Sequence, residues 1–499
     1  MERIKSNKYG YKEYSCFPLS NNLNINIPDE LLRLSDGVCA YNYSFDKGIL
    51  SDGLGINNNP LRIVPDNIQD KYLFVPPDNE EFDSLFLYNE WDGSSIHANM
   101  FIIAYMKSGN FYYKYLHADN VNFKLIPNIN FSQRPIVTQC KINNRDVALF
   151  VSKSDGMYIW SVVYDEAQKI DNSEKISSMC YIYDRLFITT FNDRDKVFYS
   201  SDVSPVDFSS TSEGVGVIEF DDISGMASKL LSFNGYLYVF RDFNIAKITY
   251  NNEKELFKVN QIFVGNSYIY NKTISVCGTK IIYLTLDGLY EFDGTKSKKI
   301  LSGLDFMFKN MANDDALGGY ADGYYYLACK LNFNDNKKIG SENRVISKNN
   351  ALLKIDVNDY TFSILRGVQV ESMSEYHDIY DSTIFVTYLD STSNISKFGN
   401  VDMSGMLNGN ATNKIWKSPN FDFGSNNYKI IKDLTIMTAS DCKLIIEYDG
   451  KNKVISLKGS NRYQKIPLYL KCKKISVAIE SVDSGVKIVG PTFSVGMVE

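Results

Sequence analysis

The residues of this 499-residue chain with the types to do chemistry are three histidines, eight cysteines and a few adjacent carboxylate pairs. A metal site or a nucleophile–base pair needs several such groups at a spacing that lets them converge. His97, His117 and His377 have no second histidine, cysteine or acid at ligand spacing beyond the near neighbours Asp119 and Asp378. They read as surface or hydrogen-bonded structural histidines. The cysteines (Cys16, Cys39, Cys140, Cys180, Cys277, Cys329, Cys442 and Cys472) are dispersed, with no C-x-x-C and no Cys/His cluster. That spacing builds neither a zinc site nor a disulfide framework, so they read as buried, reduced, small hydrophobes. The carboxylate pairs are Glu80-Glu81, Asp221-Asp222 and Asp314-Asp315. A glycosidase needs two carboxyls facing one substrate, whereas neighbours on a strand point to opposite faces, so these read as turn residues. Residues 152–160 are superficially like the Ser-x-Asp-x-Gly…Trp box of sialidase propellers, but Asp155 and Gly156 are adjacent and the box occurs once. No G-x-S-x-G elbow, Walker loop, dinucleotide fingerprint or H-E-x-x-H is present. The sequence therefore predicts no catalytic, cofactor-binding or metal-ligating residue, no cofactor, and no enzyme.

Aromatic side chains are the other group that could contact a ligand. Tyr (35) and Phe (30) are abundant, and residues 111–115 could stack on sugars or bases. Alternation along a strand explains the same rings as packing between sheets, with hydroxyls at the rim. Stacking on nucleic acid would also need a basic groove. Net charge is −6 and the two signs are interspersed, so no sequence-specific nucleic-acid binding is expected. Residues 1–17 lack the apolar core of a signal peptide, and no run approaches the roughly 18 apolar residues of a membrane helix. The expectation is a soluble chain with no membrane segment.

The elements that must position these groups are strands. β-branched and aromatic residues dominate the apolar set, and Asn, Asp, Ser and Gly fill the gaps. Short apolar runs recur from about residue 83 to residue 400, among them 147–151, 186–190, 237–240, 280–284, 324–329 and 383–388. Several share one grammar: apolar strand, tight turn, aromatic-rich strand. The turns are Asp155-Gly156, Asn234-Gly235, Asp287-Gly288 and Asp322-Gly323, with weaker versions at Tyr183-Asp184 and Tyr380-Asp381. A small antiparallel sheet repeated this way cannot bury both faces alone, which predicts a β-propeller of about six blades; a stacked pair of sandwiches, the alternative, would show similar strands but should not repeat one hairpin grammar so often.

Helical signals are few. Residues 28–34 predict a short helix, and 304–311 carry Leu304, Met307, Phe308 and Met311 at helical spacing, which reads as core packing. The polar stretch 334–350 reads as a hairpin's excursion into solvent. After residue 400 the grammar changes. Residues 403–413 resemble a linker, and strands at 430–437, 443–448, 453–457 and 473–479 predict a small C-terminal β-sandwich or barrel domain. The expected division is an N-terminal arm with first strands (1–60), an all-β propeller (61–402) and a C-terminal β domain (403–499).

Three segments carry a family likeness: 36–55 (DGVCAYNYSFDKGILSDGLG), 196–248 (with FYSSDVSPVDFSS, VIEFDDISGM and LSFNGYLYVFRDFNIAKI) and 415–424 (IWKSPNFDFG). This pattern resembles bacteriophage virion proteins built on a β-propeller, namely the nozzle proteins of short-tailed phages and the related plug or stabilisation tail accessory proteins. Asp207-Phe208 departs from it, standing where a Trp is expected after the turn. The resemblance implies a structural virion protein, made in the host bacterial cytoplasm, that sits in the tail below the portal and adaptor and extends or closes the DNA channel. Its implied partners are other virion proteins (portal, adaptor, tail fibre or tail tip proteins) and copies of itself in a ring. The rival expectations are a receptor- or carbohydrate-binding tail tip protein and, more distantly, a glycan hydrolase.

Overall fold

The computed structural model describes residues 10–20, 31–58, 61–62, 72–91, 99–116, 122–164, 166–171, 174–251, 256–263, 267–333, 335, 337–377 and 382–497. The chain is all-β. Among these residues one α-helix is present, the four-residue turn Asp305–Phe308, and no helix is long and apolar enough to cross a membrane.

Six sheets each contain four consecutive antiparallel strands. Their first strands are Phe82–Glu90, Ile136–Ile142, Ile176–Ile182, Ala227–Phe233, Ser275–Cys277 and Leu317–Ala321. A seventh sheet begins with Gln369–His377, Ser382–Leu389 and Ser396–Asp402. Its fourth strand is Gly55–Asn57, from near the start of the chain, which pairs antiparallel with Ser396–Asp402. The short pieces Met406–Leu407 and Asn410–Ala411 extend that sheet. The hairpin at 380–388, read from the sequence as one of about six repeats, belongs to this sheet, whose last strand comes from the N-terminal region.

The apolar runs follow from burial on both faces of each sheet. In Arg145–Ser152, Val147, Leu149 and Val151 pack toward the third sheet while Ala148 and Phe150 pack toward the first. Tyr236–Arg241 does the same, with Leu237 and Val239 facing the third sheet and Tyr238 and Phe240 the fifth. Period-two alternation thus puts two cores on one strand. Each successive pair of sheets shares such a core. The series closes where Phe82, Ile102 and Ala104 of the first sheet meet Tyr376 and Phe385 of the seventh. Polar bonds seal that seam: the Leu85 amide donates to Ser374 Oγ at 3.0 Å, and Thr387 Oγ1 donates to the Asp83 carbonyl at 2.7 Å. This succession of small antiparallel sheets is a β-propeller.

The turns occur at two places in a sheet. Asn234-Gly235, Asp322-Gly323 and Tyr183-Asp184 close first-to-second-strand hairpins with both central residues at positive φ, as a two-residue type I′ turn requires. Asp155-Gly156 and Asp287-Gly288 instead lie between second and third strands. Tyr380-Asp381 lies outside the described residues.

The remaining strands form a two-sheet sandwich. One sheet contains Tyr43–Asp46, Ile49–Asp52, Lys487–Met497, Lys429–Thr438 and Tyr463–Cys472, with Lys12–Ser15 added on Lys487–Met497. The other runs in the order Cys39–Tyr41, Lys414–Lys417, Ile475–Ser481, Cys442–Tyr448 and Lys451–Leu457. Leu50, Ile431, Leu434 and Phe493 of the first meet Trp416, Leu444, Val477 and Ile479 of the second. The division at 60/61 and 402/403 is therefore not how the strands pair. The strands Lys12–Ser15, Cys39–Tyr41, Tyr43–Asp46 and Ile49–Asp52 belong to the C-terminal sandwich, and 55–57 with 406–407 and 410–411 belong to the propeller. Of the expected helix at 28–34, residues 28–30 lie outside the described residues, and 31–34 form no α-helix. Leu304, Met307 and Phe308 are core, as their spacing predicts, while Met311 is half-buried outside that cluster.

Candidate functional site: the junction of propeller and sandwich

The segments 36–55 and 415–424 are pairing partners. Cys39, Ala40 and Tyr41 lie opposite Lys417, Trp416 and Ile415. This pair of strands sits where the sandwich meets the fourth strand of the sixth sheet, Phe362–Arg366. Asn42 makes the joint. It adopts φ 62°, a left-handed conformation that Asn tolerates better than most residues. Its amide donates to the Ile364 carbonyl at 2.7 Å, its Oδ1 accepts from the Arg366 amide at 2.8 Å, and its Nδ2 donates to the Asn413 carbonyl at 2.6 Å. One buried side chain thereby continues the backbone ladder of the propeller into the sandwich.

Arg366 is the electrostatic centre of the junction, with its side chain 2% exposed. Its guanidinium donates to Asp335 Oδ2 at 2.7 Å, to Glu342 Oε1 and Oε2 at 3.0 and 2.9 Å, and to the Lys337 carbonyl at 2.8 Å. Tyr41 and Phe333 lie 4.7 and 4.1 Å from it, in cation–π range. Partial burial pushes the Asp335 carboxyl up, but Arg366, the Lys337 amide and the Tyr41 hydroxyl outweigh it and hold it below the usual range. Burial alone would depress the guanidinium's pKa, and its two carboxylate partners raise it instead.

The expectation that 334–350 loops into solvent holds at Lys337, Lys338, Asn343, Val345, Ile346 and Lys348, which are exposed. Asp335 and Glu342 fold back onto Arg366, and Ser341 and Asn349 are buried. The polar composition of the stretch thus combines exposed lysines with carboxylates that pair with Arg366.

Beside this cluster lies a groove of about 610 Å³. Its floor is the outer face of the second sandwich sheet, where Cys39, Lys417, Ala478 and Ile445 form one cross-strand row. Phe333, Asp335 and Lys337 form the wall on the propeller side. The groove shares Glu447 and Asn452 with an open cavity of about 1070 Å³, and Glu480 with one of about 370 Å³. The three make a continuous trough.

The structure brings none of the carboxylate pairs together. Glu80 accepts bonds from Ser108 and Asn110, Glu81 pairs with Lys107, Asp222 holds the buried Arg241, and Asp315 lies 3.8 Å from Lys272. Asp155 accepts bonds from Ser132 and Ser152, so the sialidase-like stretch is a stapled turn. His377 contacts Ser382 through Nδ1 at 2.7 Å, while His97 and His117 lie outside the described residues. All eight cysteines are free thiols, and burial pushes Cys140 up to about 12. Among the described residues, no group of three or more His, Cys, Asp or Glu could hold a metal ion. Phe111 is buried against Phe131 and Phe150 at centroid distances of 5.1 and 5.0 Å, which is packing between the first two sheets.

No protein-family model matches the chain, and no curated protein matches it. Among solved structures, a similar chain occurs in the BBS1N complex with ARL6DN soaked with mercury, at 8% identity and TM-score 0.37. Another is in the same complex soaked with lead, at 9% identity and TM-score 0.37. Each match covers 64% of this chain and 91% or 92% of the solved one. Likeness at that level bears on neither chemistry nor partners.

The sequence held a faint signal for the trough and none for its electrostatic centre. Segments 36–55 and 415–424 were singled out, and they supply much of the floor. Arg366 stands in an ordinary strand, and only the fold brings Asp335 and Glu342 to it.

Proposed function

We propose that this chain is a structural component of a bacteriophage tail, in the ring below the portal and adaptor that extends or closes the DNA channel. The sequence resemblance supplies the assignment. The observation that supports it is the weaving of both ends of the chain into one body. The N-terminal strands belong to the C-terminal sandwich, and strand 55–57 completes the last propeller sheet. Separating the ends requires breaking two sheets at once, which suits a part that transmits force during DNA passage. The polar clusters that looked capable of chemistry are used internally. Every described carboxyl with a shifted pKa is shifted down, among them Asp222, Asp287, Glu291, Asp335 and Asp390. A glycosidase acid needs the opposite direction.

The chain acts with other virion proteins and with copies of itself, and carries no catalytic step. Mass spectrometry of purified particles should detect it at several copies per virion, and imaging of particles with this chain labelled should place it in rotationally symmetric tail density. Its absence from particles, or turnover of capsule or wall glycans lost on mutating one carboxylate, would refute the assignment.

A further inference from the structure

We propose that the trough on the outer face of the second sandwich sheet binds a neutral oligosaccharide. The inference does not depend on where in a particle the chain sits, because it rests on the pattern of that face. Strand pairing sets three rows across the sheet. The central row continues from Lys417 through Ala478 and Ile445 to Val454 on the edge strand, so three adjacent apolar residues follow the lysine. On one side runs a polar row of Glu480, Lys443 and Ser456, and on the other Ser476, Glu447 and Asn452. A narrow apolar strip between two hydrogen-bonding rims matches a pyranose chain, which has C–H faces and hydroxyl edges.

Charge selects against other ligands. Lys417 pairs with Glu447 at 2.7 Å, and Lys337 pairs with Glu480 at 2.8 Å. The carboxylates of the rims are thus matched by cations, and the trough offers no unpaired acid to attract a polycation. The apolar strip is one residue wide, too narrow for the face of an amphipathic helix. The side chains of Asn332 and Asn452 have no partner among the described residues, and each amide carries both donors and an acceptor for vicinal hydroxyls. The groove of about 610 Å³ lies in the size range of small-ligand sites.

The test is titration calorimetry of the full chain with maltohexaose, cellohexaose and chitohexaose, with heparin hexasaccharide as the charged comparator. At least one neutral hexasaccharide should bind, and Asn452→Trp, on an exposed edge strand, should weaken it at least tenfold while leaving the melting temperature unchanged. If that variant fails to fold, Asn452→Ala should weaken binding several-fold. Failure of all three neutral sugars to bind, binding of heparin alone, or binding undiminished in the folded Asn452 variants overturns the proposal. None of these outcomes bears on the presence of the chain in virions.

Discussion

Replacing Arg366 with Met removes the charge at the propeller–sandwich junction while keeping most of the side-chain volume. The guanidinium makes bonds of 2.7 to 3.0 Å to two carboxylates and one carbonyl. Glu342 is 11% exposed and Asp335 is 21% exposed. Summing charge-assisted bonds would overstate the loss, because bonds to one group are not additive. The relevant quantity is the cost of stranding a partner charge away from water, about 3–5 kcal/mol for a buried pair. Asp335 is partly solvated, so the lower end applies, about 3 kcal/mol. Urea unfolding followed by Trp fluorescence should show that loss. Hydrogen exchange should quicken first in residues 39–46 and 414–417, which depend on the junction. Arg366→Lys should recover little, since an ammonium cannot reach both carboxylates in a planar fork. Arg366→Met combined with Asp335→Leu and Glu342→Leu should recover most of the stability, because the stranded charges are then gone. A single Arg366→Met variant within about 0.5 kcal/mol of the parent, with unchanged exchange at 39–46, would refute the assignment of Arg366 as the clamp.

Four further outcomes follow from the same geometry. The folded-state carboxyl of Asp335 is depressed, so its contribution should be complete above about pH 4 and lost as pH falls through its folded pKa. The stability gap between parent and Asp335→Asn should therefore be flat at neutral pH and close only in acid. Lys414, fully buried, lies 3.2 Å from Asp52 Oδ1, so Lys414→Met should cost about 3–5 kcal/mol in urea, and adding Asp52→Leu should restore part of it. A Cβ on Gly399 would come within 2.5 Å of the Asn57 carbonyl. Gly399→Ala should thus loosen the closing strand by about 1–3 kcal/mol and speed limited proteolysis near residues 55–57. Cys39 is half-buried and pushed up to about 11 by burial, and the other seven thiols are buried. A thiol reagent at neutral pH should therefore titrate no cysteine rapidly until the chain unfolds, when it should count eight.

Residue types and their spacing determined the class of the fold. Short apolar runs bounded by Asn-Gly and Asp-Gly turns in one repeated grammar favour a succession of small sheets over a pair of sandwiches, so the propeller was legible in the sequence. Local turn chemistry is a property of two adjacent residues, and Asn234-Gly235 and Asp322-Gly323 formed hairpins as their types require. Pairing between distant segments is not local. Nothing in Gly55–Asn57 announces that it completes a sheet with Ser396–Asp402, because a three-residue edge strand has no periodicity of its own. The same holds for the strands between 12 and 52, whose alternation fits a propeller sheet as well as a sandwich. The junction lay furthest from the sequence. Asp335 and Glu342 looked like solvated loop residues because charge alone does not say whether its partner is water or an arginine. Only the tertiary structure brought Arg366 to them, in a space dry enough for the pairing to matter.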